Sequence, residues 1–130
     1  MTHFHAVVWI DHDEAHVIHF NPDEAEELKV HSKHRSGHLH HKAGQLGDGR
    51  APVDHDYYGQ VEQALAGAQE ILIVGPANSK LELEKHMQKH AKALADCIIG
   101  VETVDHPSDG QLLDLARKFF TAADRMVQTT

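Results

Sequence analysis

Alternation of apolar and polar positions governs the first quarter of the chain. Phe4–Ile10 is rich in β-branched residues and sets Phe4, Ala6, Val8 and Ile10 on one face, which predicts a strand. Asp11-His12-Asp13 is turn chemistry, and Ala15–Phe20 follows as a second strand close enough to make the pair a hairpin. Asn21-Pro22-Asp23 turns the chain again, and Glu26–Lys33 reads as a third strand. If extended, that strand lines up Lys29, His31, Lys33 and Arg35 on one side. Residues 36–52 then lose all periodicity and hold four glycines, so a long loop is expected at about 36–53, mobile for want of apolar anchors.

Helical spacing takes over afterwards. Asp54 is placed to cap a helix with Tyr57, Val61, Leu65 and Ala68 on one stripe. Glu70–Val74 is a short, wholly apolar strand of the kind covered on both faces. Ser79-Lys-Leu-Glu82 has the spacing of a capping box and precedes Leu83, Met87 and Leu94. Cys97–Val104 reads as another buried strand. A second capping-box pattern, Ser108-Asp-Gly-Gln111, opens a helix that turns Leu112, Leu115, Ala116, Phe119 and Ala123 inward. The order βββ-loop-αβαβα predicts an α/β fold: a mixed sheet of about five strands, begun as an antiparallel meander and completed by helical crossovers.

Size and composition agree with one domain over residues 1–130. The chain has 130 residues, 41% of them hydrophobic and only 5% aromatic, so the core is expected to be mostly aliphatic. No apolar run approaches the roughly 18–20 residues of a membrane span, and the first residues lack a secretory pattern, so a cytoplasmic setting is expected. Cys97 is the one cysteine, which excludes a disulfide framework and a cysteine zinc site within the chain. Its apolar surroundings predict an inert, buried thiol.

Charge is where the pattern departs from an ordinary acidic domain. The net charge is −8, yet residues 29–47 contain no Asp or Glu while holding Lys29, Lys33, Arg35, Lys42 and five histidines. All 20 acids therefore lie elsewhere. A cationic projection on an acidic body can engage phosphates while the body resists nonspecific adhesion. Lys33, Arg35, His38, His40, His41 and Lys42 are the candidate RNA-contacting residues, the imidazoles stacking on bases or donating to them. The alternative is a solvated loop whose charge has no partner.

The same segment contains Lys42-Ala43-Gly44-Gln45. With Ile71-Leu-Ile-Val-Gly-Pro76, Lys80 and Val101–Gln111, it resembles the middle, peptide-release domain of archaeal and eukaryotic class-1 release factors, of Pelota-like proteins and of their bacterial single-domain relatives. The resemblance covers nearly the whole chain and implies a ribonuclease-H-like topology. It also implies a ribosome-associated peptide-release, rescue or dormancy factor with the ribosome, rRNA or tRNA as partner, and no cofactor. In that family a Gly-Gly-Gln loop enters the peptidyl-transferase centre. Carried over by position, Gln45 would place a water against the ester joining peptide to tRNA, Gly44 would supply backbone freedom, and Lys42 would meet a phosphate. Ala43 stands where the family has its first glycine, and its Cβ narrows the allowed conformations.

Other chemistries compete. A non-catalytic RNA- or protein-binding module would use the fold and the loop alone. His38, His40 and His41 are a weak alternative as metal ligands, lacking the cysteines and tight spacing usual in zinc loops. A two-metal nuclease needs converging carboxylates; Asp11 ends the first strand, but Gly75-Pro76 follows the fourth without an acid and Glu102 lies within the fifth. His86 and His90 are one helical turn apart without a third ligand in view, and Gly75–Ser79 before a helix lacks a phosphate-loop signature.

Overall fold

The β1–β2 hairpin supplies the centre of the molecule. In the computed structural model, which describes residues 5–32 and 55–128 (the side chains of 55 and 123–128 excepted), β1 is His5–Ile10 and β2 is Glu14–Phe20. They pair antiparallel from His5 opposite Phe20 to Ile10 opposite Ala15. The turn between them is closed by the Asp11 carboxylate, whose Oδ1 accepts from the backbone N–H of Asp13 and of Glu14, both at 2.9 Å. The β3 strand, Ala25–His31, adds antiparallel to β2. Asn21 repeats the device at that second turn, its Oδ1 accepting from Asp23 and Glu24 N–H at 2.8 and 2.7 Å.

Helices then alternate with parallel strands: α1 (His55–Ala64), β4 (Glu70–Gly75), α2 (Ser79–His90), the short α3 (Lys92–Ala95), β5 (Ile98–Thr103) and α4 (Asp109–Gln128). The five-stranded sheet has the order β3-β2-β1-β4-β5, antiparallel across the first three strands and parallel from β1 through β4 to β5. This is the expected mixed α/β sheet, with α3 as an extra turn of helix.

Two apolar layers sandwich that sheet. On one face Ala6, Val8, Ile10, Ala15, Val17, Val30, Ile71 and Ile73 pack with Tyr57, Tyr58, Val61 and Leu65 from α1 and its end, and with Leu83 and Met87 from α2. On the other, Val7, Trp9, Ile18, Phe20, Leu72 and Val74 pack against Leu112, Ala116 and Phe120 of α4. Phe120, 2% exposed, is a core residue beside the expected Leu112 and Ala116. β1 and β4 are buried on both faces because they lie between neighbours and under helices.

Three expectations change in detail. β5 is an edge strand, half of its residues exposed and the rest only partly buried, rather than buried on both faces. Cys97 precedes it, half-buried against the α1/α2 layer, where its thiol donates to the Ala93 carbonyl at 3.6 Å. The Ser79–Glu82 pattern makes no capping box: Asn78 occupies the cap position, the Ser79 hydroxyl pairs with His12 Nδ1 at 3.2 Å, and Glu82 accepts from Tyr58 OH at 2.8 Å. The Ser108–Gln111 box forms reciprocally, with Ser108 N–H donating to Gln111 Oε1 at 2.9 Å and Gln111 N–H to Ser108 Oγ at 3.2 Å.

Candidate functional site

The β1–β2 turn gathers the groups around which the basic segment begins and ends. Ser32, just past β3, donates its N–H to the Asp13 carbonyl at 2.9 Å. Tyr57, in the first turn of α1, donates its hydroxyl to the Asp11 carbonyl at 3.0 Å. Ser32 and Tyr57, on either side of residues 33–54, are thus both held at the same end of the sheet. Lys33, Arg35, His38, His40, His41, Lys42, Gly44 and Gln45, with the expected mobile loop and the Asp54 cap, lie outside the described residues. Burial pushes the Tyr57 phenol far up, helped by the charge of Asp11, so it remains a neutral donor holding the start of α1 to the turn.

Acids and histidines cluster beside that root, on the α4 face of the β2–β3 hairpin. Strand register aligns Glu14 with His31, His16 with Lys29 and Ile18 with Glu27. The capping box at Ser108 starts α4 immediately before Asp109, which reaches the same patch. His16 Nδ1 is 2.9 Å from Asp109 Oδ1 and 3.7 Å from Glu27 Oε2, and its Nε2 is 3.1 Å from Glu14 Oε2. Lys29 Nζ lies 4.0 Å from Asp109 Oδ2, and His31 Nδ1 lies 3.6 Å from Glu14 Oε1. The first two cationic positions of the acid-free window are therefore met in space by acids from β2 and α4.

Electrostatics follow from this crowding. Burial opposes charge on the His16 imidazole, but hydrogen bonds and attraction from Glu14 and Asp109 outweigh it and hold the pKa above its ordinary value. A hydrogen bond shared with Asp109, reinforced by burial, raises the Glu27 carboxyl. The same hydrogen bond lowers Asp109, against the effect of burial and with help from His16. The ionisation of each of these three groups therefore depends on the other two.

The tip of the sheet is closed by the β5–α4 connection. Trp9 Nε1–H donates to the Asp105 carbonyl at 2.6 Å, the His106 ring lies against the Trp9 indole at 4.2 Å, and His106 Nε2 is 3.9 Å from Asp11 Oδ2. Asp11 is thereby a turn-closing residue. Among the described residues it joins no group of three metal-ligating side chains; His16, Glu27 and Asp109 do. His86 Nδ1 lies 2.5 Å from Glu62 Oε2 and the His86 ring lies 4.4 Å from that of His90, a largely covered polar contact on the α1/α2 side. Lys80, buried at the start of α2, donates to the Ala77 carbonyl.

Three solved structures are similar in fold. Pelota of Archaeoglobus fulgidus superposes with a TM-score of 0.61 at 11% identity over 88% of this chain and 30% of its own. Pelota of Thermoplasma acidophilum gives 0.60 at 20% identity over 82% and 29%. Dom34 of S. cerevisiae, described as a translation termination-like factor involved in RNA quality control pathways and interacting with Hbs1, gives 0.51 at 11% identity over 77% and 29%. This chain therefore spans about three-tenths of the length of each. At these identities the likeness is one of fold. No protein-family profile matches the chain, and no curated protein does. No helix among the described residues is long and apolar enough to cross a membrane.

Proposed function

We propose that this chain is a ribosome-associated translation factor that presents residues 33–54 to rRNA or tRNA, with the Pelota-like sheet as the platform. The observation carrying this reading is the anchoring of the residues that flank the segment, Ser32 and Tyr57, to the β1–β2 turn. A cationic segment held at one end of an acidic body suits a phosphate-lined cavity. Lys33, Arg35 and Lys42 meet phosphates; His38, His40 and His41 stack on or hydrogen-bond to bases. The similarity in fold to Pelota and Dom34 supports the ribosome as the setting.

A second reading, hydrolysis of the peptidyl-tRNA ester, is favoured by Ala43-Gly44-Gln45. Gln45 would hold a water whose oxygen attacks the ester carbonyl, the peptide leaving as a carboxylic acid and the tRNA regaining its hydroxyl. Ala43 limits the backbone freedom this needs.

Co-sedimentation with ribosomes tests the first reading. The parent protein pellets with ribosomes, and a variant with residues 36–52 replaced by a short Gly-Ser linker stays in the supernatant. A parent that stays in the supernatant contradicts the proposal. Peptide release from ribosomes carrying peptidyl-tRNA tests the second. Ala43→Gly raises the rate and Gln45→Ala abolishes it without loss of binding, because a group acting in the transition state adds little to ground-state affinity. No release from bound Ala43→Gly leaves the non-catalytic reading standing.

A further inference from the structure

We propose that His16, Glu27 and Asp109 form a binding site for a divalent transition cation of the zinc class, which braces the start of α4 against the β2–β3 hairpin. The site is independent of the ribosomal reading and of the loop histidines. Its three ligand atoms come from three different elements and all lie within 4.8 Å of one another. Ligands held tetrahedrally at about 2.0–2.1 Å from zinc stand about 3.3 Å apart. The His16 Nδ1 distances to Asp109 Oδ1 and Glu27 Oε2, 2.9 and 3.7 Å, straddle that spacing.

A second observation concerns the other ring nitrogen. Glu14 Oε2 is 3.1 Å from His16 Nε2. A carboxylate there accepts the Nε2–H and turns Nδ1 toward Glu27 and Asp109, the kind of orienting partner that metal-bound histidines commonly have.

Access and selectivity follow from exposure and donor type. The His16, Glu27 and Asp109 side chains are 18%, 34% and 40% exposed, so an ion can enter and water can complete its coordination. One imidazole nitrogen with two carboxylates favours Zn²⁺ over Mg²⁺ or Ca²⁺, which prefer all-oxygen shells. Lys29 opposes a cation through its charge near Asp109 and Glu27, but its closest approach is 4.0 Å, to Asp109 Oδ2, and it is half exposed and able to swing into solvent.

The test is Zn²⁺ titration by calorimetry of the untagged full chain carrying His38→Ala, His40→Ala and His41→Ala, which removes the loop histidines as rivals. One equivalent binds, and the ¹⁵N resonance of His16 Nδ1 moves to the metal-bound range. Glu27→Gln and Asp109→Asn each weaken binding at least tenfold, and Glu14→Gln weakens it about tenfold although it contributes no ligand. Glu27 is on an exposed edge strand, so its variant folds; circular dichroism without metal checks this for each. Binding that is unchanged in Glu27→Gln and Asp109→Asn, or no saturable binding at all, overturns the proposal and leaves the cluster as a hydrogen-bonded network of side chains.

Discussion

The two faces of the β2–β3 hairpin are built on opposite rules. Toward α1 and α2, Ala15, Val17 and Val30 continue the apolar layer to the end of the hairpin beside the β1–β2 turn. Toward α4, apolar cover stops at Ile18 and Phe20, and Glu14, His16, Glu27, Lys29 and His31 take over. One face holds the sheet together by exclusion of water. The other assembles charge at the root of the basic segment, where stability gives way to titratable chemistry. Substitutions on the two faces should therefore differ in size and in their dependence on solution conditions.

The largest effect is expected on the apolar face. Leu83 is fully buried among α1, α2 and the sheet, and Leu83→Ala should lower unfolding free energy by about 2–5 kcal/mol in urea titrations. The loss should be the same at low and high salt. A loss below 1 kcal/mol would mean that α2 is not part of the core.

Gly75 tests the seam between the faces, where β4 passes the end of β1. A Cβ there would run into the backbone carbonyl oxygen of Ile10, which cannot step aside as a side chain could. Gly75→Ala should cost about 1–3 kcal/mol by the same measurement. Gly59, with open space around its would-be Cβ, provides the control: Gly59→Ala should be neutral or stabilising.

Helix starts sharpen the comparison further. Ser108→Ala removes a working cap on the polar face and should cost about 1 kcal/mol. Ser79→Ala removes a hydroxyl bonded to His12 instead, so any loss there should be matched by His12→Ala and should not add to it in the double variant.

The smallest effect is the pH dependence of the polar face, measured in chelator-containing buffer. The pKa of His16 is raised in the fold, so its contribution is complete below about pH 6.5, the unfolded value, and disappears as pH rises through the folded value. Glu14, Glu27 and Asp109 supply the attraction, while Lys29 and His31 oppose it. The contribution should be below about 1 kcal/mol, because these pairs are partly solvated. His16→Ala should flatten the stability profile between pH 6 and 8, and an unchanged profile would show that His16 is not protonated in the fold.

Sequence patterns disclosed the order of strands and helices because periods of 2 and 3.6 survive whatever packs on them. They failed where tertiary partners decide. Cys97–Val104 looks like a buried strand, but an apolar run does not reveal whether it ends at the edge of a sheet. Ser79-x-x-Glu82 and Ser108-x-x-Gln111 have equivalent spacing. Only the second caps, since His12 and Tyr58 draw Ser79 and Glu82 away. The His16–Glu27–Asp109 cluster was not legible at all: 93 residues separate His16 from Asp109, and only the docking of α4 across β2 and β3 joins them. The available signal was the capping box that places Asp109 at a helix start, together with a histidine interrupting an apolar strand. The residues expected to touch RNA, from Lys33 to Gln45, lie outside the described part of the chain, and their role rests on charge and motif.

The salt dependence of ribosome binding tests that role most directly. Each phosphate contact releases counterions, so affinity should fall steeply as salt rises. Replacing Lys33, Arg35 and Lys42 together with Ala should weaken binding at low salt and make the slope of log affinity against log salt shallower by about 2–3. Affinity and slope equal to those of the parent at every salt concentration would contradict the account.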